Sequence, residues 1–196
     1  MATTRENKSI SQFKSALIGG GARPNLFEVE LTTLPADISW NSTNFRFMCK
    51  AAALPAQNIA SIDVPFRGRI FKVAGDRTID TWTVTIINDE SFELRTAFEQ
   101  WTEVIAKLDN NLGATDPSAY MTNAKVFQLG RGSKKASQDS TGDANAVLKE
   151  YEFIDIFPTT ISEIALSYDT GDTIEEFDVE FQVQSLNLTG TGSPNG

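Results

Sequence analysis

Glu176-Phe177-Asp178-Val179-Glu180-Phe181-Gln182-Val183 alternates a polar side chain with a large apolar one through all eight residues. Successive strand side chains point to opposite faces, so this stretch has one face of Phe and Val and another of carboxylate and amide. It reads as a strand with one side on a core and the other in water, as in an antiparallel sheet. The alternation changes phase at Leu186 and Leu188, which predicts a bulge or strand end near Ser185. Upstream, residues 161–168 and the turn Asp169-Thr170-Gly171-Asp172 predict the other arm of a hairpin with residues 174–185.

Outward from this hairpin the chain stays β-rich. Residues 81–87 are its most β-prone run, with Trp82, Val84 and Ile86 on one face. Residues 25–31 set Phe27, Val29 and Leu31 against Glu28 and Glu30, and residues 44–52 set Phe45, Phe47 and Cys49 against Arg46, Met48 and Lys50. A third strand spans 59–66, with Pro65 limiting ladder pairing near its end. Residues 67–77 are basic and flanked by glycines, and read as an extended loop or projecting hairpin. Residues 124–129 and 148–157 bracket a Gly, Ser, Lys and Asp-rich loop, 130–147, that reads as disordered.

One helix is predicted over residues 91–109, where Leu94, Phe98, Trp101, Ile105 and Leu108 form a single apolar stripe. Asn88-Asp89-Glu90 supplies its cap, and Asn110-Asn111-Leu112-Gly113 its stop. Residues 1–21 read as a flexible arm with a short helical turn at 10–17, and 189–196 as a disordered tail. The sum is a mostly β protein: seven or eight strands in an antiparallel sandwich or barrel, with one helix lying across an open face.

Composition narrows the function. The 196 residues are 40% hydrophobic with a net charge of -9, enough for one domain with a core. Residues 150–196 carry ten carboxylates and no Lys or Arg, a poor endowment for binding nucleic acid, whose affinity comes from cations at phosphates. No apolar run approaches a membrane span, and the first thirty residues lack a signal-peptide apolar region. There is no histidine, which removes the commonest general base and most nucleophile pairs. Cys49 is the only cysteine and sits on the Phe45 and Phe47 alternation as a small hydrophobe.

Other patterns have plainer readings. Gly130-Arg131-Gly132-Ser133-Lys134 lacks phosphate-loop spacing and a following helix. Asp169, Asp172 and Glu175 lack the ligand spacing of a calcium loop and suit a turn. Asp89 and Glu90 suit a helix start, and Asp76 a loop ion pair with Arg77. No catalytic residues, metal ligands or cofactor are expected.

Several segments together resemble the tail tube proteins of contractile-tailed bacteriophages. They are Ala22-Arg23-Pro24-Asn25-Leu26-Phe27-Glu28-Val29, then Cys49-Lys50-Ala51 with Ala53-Leu54-Pro55-Ala56, and Val73-Ala74-Gly75-Asp76-Arg77-Thr78 with Asp80 and Trp82-Thr83-Val84-Thr85. Asn88-Asp89 follows, leading to a helix that carries Trp101, and then Phe157-Pro158-Thr159 and the strand at 174–183. Order and spacing agree from about Ala22 to Leu188.

The resemblance implies a ring-forming β-barrel subunit of the virion, assembled in the host cytoplasm. Homo-hexameric rings would stack into a tube within a sheath, with baseplate and tube-terminator partners and DNA passing through the bore. It makes Arg67, Arg69, Phe71, Lys72, Asp76 and Arg77 the loop that reaches the next ring. If the polar face of the 174–185 strand lines the bore, Glu176, Asp178 and Glu180 would keep DNA from sticking. A tube initiator, or the tube of a phage-derived injection device, fits the same pattern. The alternative from a different class is a monomeric ligand- or carbohydrate-binding module using Trp40, Trp82 and Tyr120, although alternation with Val84 and Ile86 places Trp82 in the core.

Overall fold

The computed structural model describes residues 9–17, 21–35, 38–110, 112–130, 147–169 and 171–189. The expectations for the arm before residue 9, most of the 130–147 loop and the tail after 189 lie outside the described residues. Eight strands occur among those described: β1 (Phe27–Leu31), β2 (Cys49–Ala52), β3 (Gln57–Phe66), β4 (Arg69–Ile79), β5 (Trp82–Ile87), β6 (Thr122–Leu129), β7 (Val147–Ile161) and β8 (Glu176–Thr189). Three α-helices accompany them: α1 (Ile10–Ala16), α2 (Ser42–Met48) and α3 (Glu93–Ile105).

Six strands form one antiparallel sheet in the order β1-β6-β7-β8-β5-β2, and β3 and β4 form a separate two-stranded sheet. The six-stranded sheet curls into a nearly closed barrel, with its two edges, β1 and β2, brought near each other. Alternation dictates what lies inside. Trp82, Val84 and Ile86 of β5 face Phe181, Val179 and Phe177 of β8, and all six are buried. Val29 and Leu31 pair with Val126 and Ala124 in the same interior.

α3 presents Leu94, Ala97, Phe98 and Trp101 to this core. Phe98 packs edge-on against Phe177 and Phe181 at 6.3 and 6.0 Å. The Trp101 indole N–H donates to the Tyr120 carbonyl at 2.7 Å, which satisfies the polar end of an otherwise apolar ring. The helix is shorter than its predicted stripe. It ends at Ile105, which is half-buried, and Leu108 is 92% exposed. The chain folds back here: Ala114 N–H donates to the Val104 carbonyl at 3.0 Å. A Cβ at Gly113 would collide with the Ile105 carbonyl.

The start of α3 also differs from expectation. Its N-cap is Phe92, in the left-handed region at φ 53°, with no side-chain cap. Asn88 is instead tied to the segment before β8, donating from its backbone to the Glu175 carbonyl at 2.9 Å and from Nδ2 to Glu175 Oε2 at 3.1 Å.

Two predicted strands are cut short: 44–52 survives only as β2 (Cys49–Ala52), and 161–168 only as Ile161 at the end of β7. Residues 42–48 form α2, because the Asn41 side chain accepts the Asn44 N–H at 3.0 Å and caps a helical turn. The helix buries Phe45 and leaves Phe47 76% exposed, so those two rings do not share a face. α2 packs beside β1 and β2 at the barrel seam, where Arg46 reaches Glu28 at 2.6 Å and Glu30 at 3.6 Å.

Residues 162–168 are irregular as well, since β7 itself runs to Ile161 and pairs with β8. Ser162 closes that ladder, its hydroxyl accepting the Asp178 N–H at 2.8 Å, while Arg95 Nη1 donates to its carbonyl at 2.8 Å.

The phase change near Ser185 is real. Val183 and Leu186 both face the core, opposite Ile156 and Phe153 of β7. β7 bulges against β6 at residues 154–155, where Asp155 takes φ 54° and donates its N–H to Asn123 Oδ1 at 3.0 Å. Because β7 and β8 break alternation together, their own register passes the point unshifted.

Candidate assembly surfaces

The hairpin β3–β4 is the longest feature outside the barrel, and nearly every residue in it is exposed. Its turn is Arg67-Gly68, with φ 46° and 78°, the left-handed pair that a two-residue hairpin turn demands. The Arg67 guanidinium stacks 5.4 Å from the Phe66 ring.

Register separates its two faces. Ile62 pairs with Val73, Val64 with Phe71 and Phe66 with Arg69 on one face. Asp63 pairs with Lys72 and Pro65 with Ile70 on the other, with an Asp63–Lys72 ion pair of 3.2 Å. One face is therefore almost wholly apolar, and no described residue covers it: Phe66 and Phe71 are 65% and 67% exposed. The predicted residues Arg67, Arg69, Phe71, Lys72, Asp76 and Arg77 all fall on this hairpin. Reading residues 67–77 as mainly basic missed the apolar face, although alternation on either side of Arg67-Gly68 carries its signal.

The second surface is the outer face of the barrel. Glu176, Asp178 and Glu180 lie together on β8, opposite the buried Phe177, Val179 and Phe181. Lys50 Nζ contacts both Glu176 carboxylate oxygens at 2.6 and 2.7 Å, and the Thr85 hydroxyl donates to Asp178 Oδ1 at 2.6 Å. The same face continues through Glu150 and Glu152 on β7 and Glu28 and Glu30 on β1. Between those strands Lys125 contacts Glu150 at 2.9 Å and Glu152 at 3.9 Å. The Glu150 carboxylate beside Lys125, more than Glu152 or Glu30, holds its ammonium above the ordinary lysine range. The seven carboxylates on this face outnumber its three cations, Arg46, Lys50 and Lys125.

The remaining candidates are structural. Trp82 is fully buried and stacks on Phe153 at 4.6 Å. Trp40 packs on Phe45 at 5.1 Å and donates its indole N–H to the Leu31 carbonyl at 2.6 Å. Tyr120 stands edge-on to Phe157 at 5.8 Å. None of the three makes an open aromatic platform. Cys49 is half-buried, and burial pushes its thiol up to about 12, far from a reactive thiolate. Among the described residues no cluster of His, Cys, Asp and Glu is placed to hold a metal, and no helix is long and apolar enough to cross a membrane.

Residues 22–188 match the phage tail tube protein family. The chain belongs to that family. It is 40% identical over 161 residues to the tail tube protein gp19 of Enterobacteria phage T4, spanning 82% of this chain and 88% of that protein. The T6 counterpart is 39% identical over the same length. Two solved structures share the fold at low identity. The anti-feeding prophage tube-terminating cap gives a TM-score of 0.58 at 14% identity, covering 87% of this chain and 92% of the other. A chain of the PVC contractile injection system sheath–tube complex gives 0.55 at 12% identity, covering 94% and 100%. This tail tube protein is thus a structural component of a contractile phage tail and of the virion.

Proposed function

We propose that six copies of this tail tube protein close into a ring and that rings stack into a hollow tube inside a contractile sheath. DNA leaves through the bore without specific binding. Baseplate and terminator proteins bound the two ends, and the chain catalyses no reaction. The observation that carries this reading is the bare apolar face of the β3–β4 hairpin. An isolated two-stranded hairpin is marginal in water, and this one exposes Ile62, Val64, Phe66, Phe71 and Val73 on one side. Such a face belongs in an interface.

The acidic outer face of β8, beside the β5 strand that follows the hairpin, lines the bore. DNA carries one charge per about 1.7 Å of axis, so excess carboxylate lets it slide where a cationic wall would hold it. Asp178→Lys with Glu180→Lys in phage should leave tails assembled and slow DNA ejection, more at low salt, where screening is weaker. Unchanged ejection kinetics would move this face to the outside.

Negative-stain electron microscopy of the purified chain over a concentration series, with and without a baseplate fraction, tests the assembly. Six-fold rings or hollow tubes are expected. Compact particles at every concentration, seeded or not, would overturn it.

A further inference from the structure

Two apolar surfaces of the chain are bare, and the strand register brings them to one end of the barrel. The first is the hairpin face of Ile62, Val64, Phe66, Phe71 and Val73. The second is a stripe on α1, where Ile10, Phe13 and Leu17 recur at three- and four-residue steps and are all exposed. Ser9 and Gln12 close a capping box at the start of α1. Seven residues are still too few to hold a helix in water without something to pack on. A two-stranded hairpin has the same need.

The register also puts the two within reach of each other. Phe27 of β1 pairs with Gln128, Gln128 with Lys149, and the neighbouring Glu150 with Thr189, so the start of β1 is level with the end of β8. Thr189 lies eight residues past Phe181, the partner of Trp82, and Val73 lies nine residues before Trp82. β4 leads back from Trp82 beside that stretch of β8, with Arg77, Thr78 and Ile79 facing residues 182–186 across a cleft of about 400 Å³. Val73 and Phe27 therefore stand at a similar height on the barrel.

The tether of α1 is fixed at that height. Gln128 Nε2 donates to the Arg23 carbonyl at 2.8 Å. From β6 the wall runs through β7 and β8 to β4, about 14 Å at the usual strand spacing. Leu17 precedes Arg23 by six residues, a reach of up to ~20 Å.

We infer that α1 is a strap: in the free subunit it closes over the hairpin's apolar face, and it must be displaced when subunits join. The inference rests on the tube reading and gives assembly a brake. A short tether holds its two ends at an effective concentration in the millimolar range, so a contact too weak to join separate molecules suffices. A hairpin covered about nine-tenths of the time assembles as though the protein were about tenfold more dilute.

Ile10→Ser, Phe13→Ser and Leu17→Ser, combined in the full-length protein, test the strap. Circular dichroism melts should match the wild type, because α1 has no buried residue. Unseeded tubes should form at about a tenfold lower critical concentration. Hydrogen exchange at residues 62–73 of the unassembled monomer should quicken by a similar factor. Unchanged exchange would overturn the inference. So would a critical concentration that stays the same or rises, the latter making α1 part of the tube contact itself.

Cross-linking tests which copy is covered. Phe13→Cys with Val64→Cys in a Cys49→Ala background, treated with a short bis-maleimide below the critical concentration, should give single chains closed on themselves. Linked dimers, or no link at all, would overturn the strap. Wild-type protein that forms no tubes even when seeded would overturn the tube reading, whereas exchange and cross-linking in the monomer judge the strap separately.

Discussion

The β5–β8 ladder and the β3–β4 hairpin follow the same rule and meet opposite fates. In the first, Trp82, Val84 and Ile86 oppose Phe181, Val179 and Phe177, and α3 closes over them. In the second, Val64 opposes Phe71 and Ile62 opposes Val73, and no described residue closes over them. Alternation declares that a face is to be buried, but it is silent on whether the same chain or another copy does the burying. The hairpin's exposed Asp63–Lys72 pair is too weak to stand in for a missing core, since such pairs contribute about 0–1 kcal/mol.

The comparison can be broken most forcefully from the barrel side. Trp101→Ala removes a fully buried ring and its bond to the Tyr120 carbonyl, and should cost the monomer about 3–5 kcal/mol in denaturant unfolding. A loss below ~1 kcal/mol would mean that α3 is not part of the core. Gly113→Val should cost about 1–3 kcal/mol by the same measurement, because the new Cβ collides with the backbone that ends α3. A neutral result there would show that the return of the chain onto the helix is adjustable.

At the other extreme, Phe71→Ser with Val73→Ser should change monomer stability by no more than about 0.5 kcal/mol and yet abolish tubes by electron microscopy. A monomer destabilised as much as by Trp101→Ala would make the hairpin part of the subunit's own core and erase the contrast.

What the sequence made legible follows the length of each pattern. β5 and β8 announce themselves because six to eight residues keep strict alternation, and α3 because Leu94, Phe98 and Trp101 recur through three turns. α2 was hidden because the i, i+2 spacing of Phe45 and Phe47 imitates a strand, and the Asn41 cap decided it. The 162–168 segment looked like a strand through Ile164, Leu166 and Tyr168. These residues have no strand to pair with, because β7 already occupies that side of β8 through Ile161 and β5 holds the other. Among the assembly surfaces the charges were plain in the sequence. The apolar face of the hairpin was legible as alternation on either side of Arg67-Gly68, and only the slip between Ile59 and Ser61, which resets the pairing with β4, was not.

The β3–β4 hairpin and the acidic residues Glu163, Asp169, Asp172 and Glu175 ahead of β8 lie at opposite ends of β5, with a consequence for length control. A tube built by stacking such subunits would be a vector, with basic hairpins at one mouth and acidic connections at the other. A factor that starts growth must fit one of these and a factor that halts it must fit the other, so neither can do the other's work. A starting factor that fits the cationic hairpins leaves the acidic mouth to grow, so the factor that stops growth must be cationic.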